Sequence, residues 1–321
     1  MIVTGALGFI GSHFVDLVLS TWPGRELVVL DANTYCGSRR NLEEHAEMSS
    51  LSIVEGSICR NGLVDEILKG AGTVVHFAAE THVDRSINSA RPFFETNVIG
   101  TLNILESCRS HEVPKIVVVS TDEVYGNCRE PALESDTLFK PASPYAASKA
   151  AADLTARSFF NTYDTPLCIV RPVNNYGPRQ YPEKLIPKFI KRMLESERVP
   201  VYGTGGNTRE WLYVTDTCRA ILSLMDHFPD NVMGEVFNIG TGVERSVLEI
   251  TMSIAKLLKV DTEDMIDWVD DRPAHVERHR VNWEKIHSVT GWKPIMDFQE
   301  GLKRTVSWYA ERHGGELDNW W

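Results

Sequence analysis

Short apolar runs alternate with amphipathic segments along the first half of the chain. The runs are rich in β-branched residues and include "ELVVLD", "TVVHFAA", "KIVVVST" and "LCIVRP"; the segments between them include "FVDLVLSTW" and "TLNILESCR". β-Branched runs that alternate with helical segments are typical of parallel sheets whose two faces are both covered by helices. The pattern therefore predicts an α/β fold with a doubly wound parallel sheet at its centre.

The alternation ends at about residue 172, within "RPVNNYGPRQYP", a stretch rich in proline, glycine and asparagine. Beyond it, helical segments such as "KLIPKFIKRMLESE" are mixed with only short strands. We expect one domain to comprise residues 1–172, with a contribution from about 210–241. Residues 173–209 and 242–321 are expected to form a smaller mixed α/β domain at the carboxyl ends of the strands, where ligands bind in open α/β sheets.

A glycine-rich turn links the first predicted strand to the first helix. In "VTGALGFIG", Gly5, Gly8 and Gly11 follow G-x-x-G-x-x-G spacing, which lets the backbone approach a pyrophosphate at a helix N-terminus. Three glycines alone would also suit an ordinary tight turn, but Asp31 ends the second strand 20 residues later. A carboxylate there can accept both ribose hydroxyls and would repel a 2′-phosphate. The first domain is therefore predicted to be a Rossmann domain that binds NAD rather than NADP.

The segment "SPYAASKAAADLTA" predicts an alanine-rich helix that Ser143 caps and Pro144 begins. Tyr145 and Lys149 are four residues apart and so leave the same face of this helix. An ammonium near the phenol, together with an oxidised nicotinamide, would lower the phenol's pKa from its ordinary value of about 10. Tyr145 could then take the proton of a sugar hydroxyl while its carbon gives up a hydride.

Motifs over nearly the whole chain resemble the extended short-chain dehydrogenase/reductase family, and within it the dTDP-glucose 4,6-dehydratases. They include "HFAAETHVDRSI", "VVSTDEVYG", "SPYAASKA", "RPVNNYGPRQYPEKLIPKFI" and "TREWLYVTD". The Asp-Glu pair in "TDEVYG" distinguishes this resemblance from the related 4-epimerases and glucuronate decarboxylases, which otherwise match the sequence. The second domain is accordingly expected to bind a nucleotide sugar.

The resemblance implies a catalytic role for Thr121, Asp122, Glu123, Tyr145 and Lys149. NAD would take a hydride from C4 of glucose, with Tyr145 as base and Thr121 polarising the hydroxyl. Glu123 would then remove the C5 proton while Asp122 protonates the departing C6 hydroxyl, and the hydride would return to C6. Adjacent residues of a strand point to opposite faces, so we expect a loop or helical turn at Asp122 and Glu123.

The resemblance also implies two sets of binding residues. The residues expected to hold NAD are Gly5, Gly8, Phe9, Ile10, Gly11, Asp31, Asn33, Ser57, Ile58, Ala78, Ala79, Thr96, Tyr145 and Lys149. The residues expected to hold the nucleotide sugar are His82, Asn174, Glu183, Lys184, Leu185, Arg209, Asn238, Arg272 and His275. A homodimer is implied through the helices around Thr96 to Ser110 and Tyr145 to Tyr163.

Some positions depart from the pattern of the family that the chain resembles. Ser57 stands where an Asp is usual, and Ala32 where a Lys is usual. In "DRPAHVERH", Ala274, Val276 and His279 replace Gly, Asp and Tyr. The sequence therefore does not identify which nucleotide base the substrate carries. The alternatives are a sibling activity, NDP-glucuronate decarboxylation or 4-epimerisation, and a NAD-binding regulator without catalytic activity.

Composition limits the possible partners. The net charge of −11 argues against general attraction to nucleic acid, and no apolar run approaches the roughly 18 residues that a membrane span needs. The six cysteines lie far apart, without the spacing of a zinc site or a disulfide framework. We expect a cytoplasmic enzyme with no metal ion, whose partners are a nucleotide sugar and a second copy of the chain.

Overall fold

A computed structural model describes residues 1–136, 139–271 and 276–321 of the chain. Within these residues the strands are β1 (Ile2–Thr4), β2 (Leu27–Asp31), β3 (Leu51–Glu55), β4 (Val74–His76), β5 (Ile116–Val119), β6 (Leu167–Pro172), β7 (Asn174–Tyr176), β8 (Val199–Tyr202), β9 (Thr208–Tyr213), β10 (Val236–Ile239), β11 (Glu244–Ser246), β12 (Ile266–Val269) and β13 (Arg278–His279).

The α-helices of the same residues are α1 (Phe9–Thr21), α2 (Asn61–Leu68), α3 (Val83–Asn88), α4 (Arg91–Phe94), α5 (Thr101–Ser110), α6 (Pro144–Tyr163), α7 (Leu185–Leu194), α8 (Val214–Asp226), α9 (Val247–Leu258), α10 (Thr262–Met265), α11 (Glu284–Thr290) and α12 (Phe298–Arg312). Turns of 3-10 helix occupy Arg39–His45, Asp122–Tyr125 and Glu316–Asn319, and a π-helical segment occupies Glu95–Gly100.

The central sheet has seven strands in the order β10-β6-β5-β4-β1-β2-β3, and every neighbouring pair is parallel. Strand β1 lies between β2 and β4. From β1 the chain adds β2 and β3 on one side and β4, β5, β6 and β10 on the other, so the strand order reverses beside β1. Ligands of such sheets bind at the carboxyl ends of the strands near this reversal. The arrangement confirms the predicted Rossmann-type doubly wound parallel sheet.

The inner strands of this sheet bury side chains on both faces because residues alternate in direction along a strand. Val117 of β5 packs in one apolar cluster with α1 and α8, whereas Val118 packs in another with α2, α5 and α6. Helices therefore cover both faces of the sheet, which explains why β5 reads as a continuous apolar run rather than an alternating one.

A second, mixed sheet forms around β9. The first half of β9 pairs with antiparallel β11 and parallel β13, and its second half pairs with parallel β7. Strands β8 and β12 form a separate parallel pair. A further apolar cluster joins these strands to α7, α9 and α12. This smaller mixed α/β layer meets the central sheet where its strands end.

Candidate active site

One large cavity of about 500 Å³ runs from the carboxyl ends of the central strands to the strands of the second sheet. Most residues that the sequence predicts for the cofactor lie on its wall, although the sequence separates them widely. They are Gly5, Gly8, Phe9, Ile10, Gly11, Asp31, Ser57, Ile58, Ala78, Ala79, Thr96, Tyr145 and Lys149. The cavity therefore brings together the glycine turn, the strand ends and the start of α6.

The glycine turn forms a tight cradle at one end of this cavity. Gly5 has φ +72°, and a Cβ atom there would lie 2.5 Å from the backbone nitrogen of Ala78. A Cβ atom on Gly11 would lie 2.5 Å from the carbonyl oxygen of Gly5. A residue other than glycine would therefore clash with the backbone at either position. Helix α1 begins at Phe9 directly on this cradle, so its N-terminus faces the cavity and favours an anionic group.

Asp31 ends β2 and faces the cavity beside the glycine turn. One carboxylate oxygen accepts a hydrogen bond from the backbone of Leu7 (2.9 Å) and the other from the backbone of Asn33 (2.8 Å). Burial raises the pKa of this carboxyl, while these two bonds oppose the rise. Asn33 does not line the cavity. Its backbone N–H orients Asp31, and a contact between Asn33 itself and the cofactor stays a prediction.

The acidic pair lies on a helical turn, as predicted. Strand β5 ends at Val119, and the Oγ1 of Thr121 then caps the 3-10 turn Asp122–Tyr125 by accepting from the backbone N–H of Glu123 (3.3 Å). Thr121 and Glu123 line the cavity, whereas Asp122 is buried behind its wall. Burial, followed by the charges of Glu123 and Glu210, raises the pKa of Asp122 well above its ordinary value. The two carboxyl groups therefore occupy different environments.

Helix α6 begins as predicted, because Ser143 Oγ accepts from the backbone N–H of Ala146 (3.1 Å) and proline occupies the first turn. Tyr145 and Lys149 both face the cavity. The Nζ of Lys149 donates to the carbonyl oxygen of Val119 (2.7 Å), and burial lowers the pKa of this lysine to about 8.

The phenol of Tyr145 is buried beside the acid-base turn. Burial and the charge of Glu123 raise its pKa, although the hydroxyls of Thr121 and Thr81, which hydrogen-bond to it, act in the opposite direction. The lowering expected from Lys149 together with an oxidised nicotinamide concerns the NAD-bound site and stays a prediction. Within the protein itself, Tyr145 is an acid held in its neutral form.

Most residues predicted for the nucleotide sugar line the other part of the cavity. They are His82, Asn174, Glu183, Lys184, Leu185 and Arg209. Glu183 accepts from Tyr35 Oη (2.8 Å) and from Arg85 Nε (2.5 Å), and the backbone oxygen of Glu183 lies 3.2 Å from His82 Nε2. Lys184 Nζ donates to Thr81 Oγ1 (3.0 Å), and burial lowers the pKa of this lysine.

Arg209 extends the wall from β9. Its Nη2 donates to the carbonyl oxygen of Val276 (2.8 Å) and its Nη1 to that of Thr208 (2.7 Å). These backbone contacts fix the guanidinium at the cavity, where a planar cation suits phosphate oxygens.

One predicted substrate residue of the described ranges, Asn238, does not line the cavity. Asn238 is completely buried; its Nδ2 donates to the carbonyl oxygen of Ala132 (3.0 Å), and its Oδ1 accepts from Tyr125 Oη (2.8 Å). These bonds tie β10 to neighbouring loops, so the prediction of substrate contact is corrected. Arg272 and His275 lie outside the described residues.

His279 was not predicted to contact the catalytic pair. Its place in "DRPAHVERH" suggests the nucleotide segment, but β13 places its Nε2 3.8 Å from Glu123 Oε2, and His279 is only 2% exposed. Thr81 was also missed, although it follows the alanines in the quoted motif "HFAAETHVDRSI". Its hydroxyl meets both Lys184 and Tyr145.

The described ranges of the chain lack two other kinds of feature. No group of three or more His, Cys, Asp and Glu side chains is arranged to hold a metal ion there. Among those same residues, no helix combines the length and apolar character needed to cross a membrane.

Comparisons with known proteins agree with this geometry. A family model described as GDP-mannose 4,6 dehydratase matches residues 2–305. The low-salt glycan biosynthesis protein Agl12 of Haloferax volcanii is 44% identical over 309 residues, which cover 96% of this chain and 98% of that protein. A dTDP-glucose 4,6-dehydratase of Streptomyces niveus is 43% identical over 325 residues, covering 100% and 94%.

A solved structure shares the whole fold. DesIV, a dTDP-glucose 4,6-dehydratase from Streptomyces venezuelae crystallised with NAD and dTDP, superposes with a TM-score of 0.94. The two chains are 42% identical, and the match covers 98% of each.

Proposed function

This chain belongs to the family of the GDP-mannose 4,6-dehydratases, within the extended short-chain dehydrogenases/reductases, and from that premise we propose that it is an NAD-dependent nucleotide-sugar 4,6-dehydratase. Its substrate would be dTDP-glucose or a related NDP-glucose, and its product the 4-keto-6-deoxy sugar. The observation that carries the proposal is the turn after β5, where Asp122, whose buried carboxyl has a raised pKa, adjoins a cavity-lining Glu123 whose charge also raises the pKa of Tyr145. The dTDP-glucose dehydratases at 42–43% identity support the choice of sugar.

The cavity end at the glycine turn suits NAD. Gly5 and Gly11 leave a cradle that Cβ atoms would fill, and the N-terminus of α1 points into it. Asp31 would accept the adenosine ribose hydroxyls, and Tyr145 with Lys149 would border the nicotinamide end. When bound, NAD supplies an acceptor for the C4 hydride and returns that hydride to C6. Because the hydride leaves and returns within one turnover, activity would need no added reductant.

Tyr145 is proposed as the base for the C4 hydroxyl. The hydroxyls of Thr121 and Thr81 are the polar neighbours that oppose the rise in its pKa, and the sugar hydroxyl would be placed beside them. Lys149, fixed by the carbonyl of Val119, would stabilise the phenolate as it forms. Burial of both groups strengthens this interaction because water does not screen it.

Elimination would divide its two proton transfers between the acidic neighbours. A 4-keto group makes the C5 proton acidic, and Glu123 on the cavity wall would remove it; C5 would be reprotonated once the hydride has returned to C6. Asp122, kept protonated chiefly by burial, would give its proton to the leaving C6 hydroxyl. Its Oδ1 lies 3.3 Å from Thr121 Oγ1, which itself lines the cavity. Two carboxyl groups with different surroundings can hold these opposite protonation states.

The nucleotide would lie along the far wall of the cavity. Arg209 would neutralise the diphosphate, with Asn174 beside it, and the segment Glu183 to Leu185 would hold the sugar. Arg272 and His275 remain proposed contributors on the resemblance alone. The domain boundaries at residues 172, 209 and 241 likewise remain proposals.

We also propose that the protein is a cytoplasmic homodimer. Ile99 and Leu154, in the helical segments that the resemblance assigns to the contact, are 50% and 53% exposed, and Phe94 beside them is 41% exposed. A second copy would cover these apolar side chains. Ile99→Glu or Leu154→Glu should yield monomers in light scattering after gel filtration. Met252→Glu, at an equally exposed apolar position on α9, should leave the dimer intact. A monomeric wild-type protein would contradict the proposal.

The decisive test of function uses the purified protein without added NAD. Incubation with dTDP-glucose, UDP-glucose and dTDP-glucuronate, followed by mass spectrometry, should show loss of one water from a glucose nucleotide and thereby identify the preferred base. Loss of carbon dioxide from the glucuronate instead would favour decarboxylation. A product of unchanged mass but different chromatographic retention would favour 4-epimerisation.

A further inference from the structure

We propose that His279 is a positioning residue for the C5 base: it holds one carboxylate oxygen of Glu123 so that the other oxygen faces the sugar. This inference rests on the proposed dehydratase function and adds to it a residue from a distant strand. Its basis is the approach of His279 Nε2 to within 3.8 Å of Glu123 Oε2, with the imidazole almost completely buried.

The backbone fixes His279 relative to the catalytic turn. Arg278, directly before it, accepts at its carbonyl oxygen from the backbone N–H of Cys128 (3.1 Å), and its own N–H donates to Asn127 Oδ1 (3.1 Å). Arg280, directly after it, accepts from the backbone N–H of Ala132 (3.0 Å). Strand β13 is therefore bonded on both sides of His279 to the chain that leaves the turn Asp122–Tyr125.

The opposite side of β13 is fixed as well. His279 stands opposite Arg209 in the parallel pairing with β9, and the N–H of Val281 donates to the buried carboxylate of Glu210 (2.9 Å). Glu210 also accepts from the backbone N–H groups of Thr241 and Gly242, both at 2.7 Å. The imidazole thus sits in a rigid frame between the acid-base turn and the second sheet.

The groups around Glu123 make the imidazole an appropriate partner. Asp122 from its own turn, Tyr145 from α6 and Lys184 from the segment before α7 are the other titratable groups whose pKa values the charge of Glu123 raises. Tyr145 and Lys184 line the cavity, where they are proposed to contact the sugar. Asp122 is the proposed acid for the C6 hydroxyl. An Nε2–H donor on His279 would approach from the protein side, and catalytic hydrogen bonds commonly tighten when substrate binds.

The test compares His279→Leu, which removes the donor, with His279→Gln, whose amide nitrogen can reach about the position of Nε2. Both are assayed with the bound cofactor on dTDP-glucose carrying either hydrogen or deuterium at C5. For His279→Leu we expect kcat to fall about 10- to 100-fold while KM changes less than about twofold, because an interaction in the transition state is lost. The C5 isotope effect on kcat should increase, since proton removal becomes slower than the other steps.

Oxidation of C4 in the first turnover, measured through the absorbance of the reduced cofactor, should keep its wild-type rate in both variants. His279→Gln should recover activity to within about fivefold of wild type. Val281→Ala is the packing control, because the Val281 side chain is buried in the same segment but has no proposed role at the carboxylates. It should leave the isotope effect unchanged.

Two results would overturn the inference while leaving the proposed function intact. In the first, the wild-type protein dehydrates the sugar, and the His279→Leu variant shows the same C5 isotope effect as wild type. The other is equal impairment of the Leu and Gln variants, or slowed C4 oxidation in both, which would indicate a purely structural role. If wild type releases no water from any glucose nucleotide, the proposed function and this inference both fall.

Discussion

The guanidinium of Arg171 donates two 2.9 Å hydrogen bonds to the carboxylate of Asp153, and both side chains are completely buried. Arg171 also donates to Tyr125 Oη (2.6 Å), which in turn donates to Asn238 Oδ1. Asp153 belongs to α6 and Tyr125 to the acid-base turn. One buried ion pair therefore links the helix that carries the proposed base to the turn that carries the proposed acid.

Breaking this pair should strongly destabilise the protein. Asp153→Ala would leave the cation of Arg171 buried without its counter-charge, so the free energy of unfolding should fall by about 3–5 kcal/mol. Urea denaturation followed by circular dichroism measures this change. The double variant Asp153→Leu with Arg171→Met should lose less, because no uncompensated charge remains. A loss below about 1 kcal/mol in the single variant would show that water or another anion reaches Arg171.

Asp122→Asn should separate the oxidation step from elimination. The amide cannot protonate the C6 hydroxyl, so we expect kcat for dehydration to fall about 10²- to 10⁴-fold, the range for loss of a general acid. Oxidation of C4 in the first turnover should persist. Mass spectrometry of the product and cofactor absorbance measure the two steps separately. Equal loss of both steps would argue that Asp122 supports the turn rather than supplying a proton.

The same variant should reveal the protonation of Asp122 through stability. Burial raises its folded-state pKa, so at neutral pH folding must retain a proton that the unfolded chain releases. Wild type therefore loses stability as pH rises above the ordinary carboxyl pKa near 4. Asp122→Asn should be more stable than wild type at pH 7, and the difference should shrink as pH falls toward 4. A pH-independent difference in urea midpoints would contradict the assignment.

Local geometry explains why part of the site was predictable from sequence. The glycine cradle depends on residues adjacent along the chain, with Gly5 at positive φ and Gly11 packed on the same turn. The start of α6 depends on Ser143 bonding three residues ahead. The turn at Asp122 followed from requiring two adjacent carboxyls to share one substrate. Each conclusion needs only a few neighbouring residues and known backbone preferences.

Long-range pairing explains the errors. Asn238 was placed at the substrate, but its amide is held by Tyr125, 113 residues away along the chain. The neighbourhood of His279 depends on β13 pairing with β9, and two-residue strands leave no readable pattern.

Asp31→Asn should weaken NAD binding and reduce discrimination against NADP. The amide keeps one acceptor but loses the charge that would bind the ribose hydroxyls, and charge-assisted hydrogen bonds contribute about 1.5–3 kcal/mol. NAD affinity should therefore fall about 10- to 100-fold. NADP should lose less, because its 2′-phosphate no longer meets a carboxylate. Calorimetric titration of cofactor-depleted protein with each dinucleotide checks this, and equal losses for both would remove Asp31 from cofactor selection.

Lys149→Met should be more stable than wild type at neutral pH although it is less active. Burial lowers the pKa of Lys149 to about 8 from an ordinary 10.5, so below pH 8 folding must hold an ammonium away from water. That cost is fully present below pH 8, declines between 8 and 10.5 as the unfolded chain alone remains protonated, and is absent above 10.5. The stability advantage of the methionine variant should shrink over this window by about 3 kcal/mol. Urea midpoints of both proteins at several pH values test the sign, and an advantage that grows with pH would contradict it.

First-turnover oxidation of C4 should fall about 10²- to 10⁴-fold in the same variant, because the phenolate of Tyr145 loses its neighbouring cation.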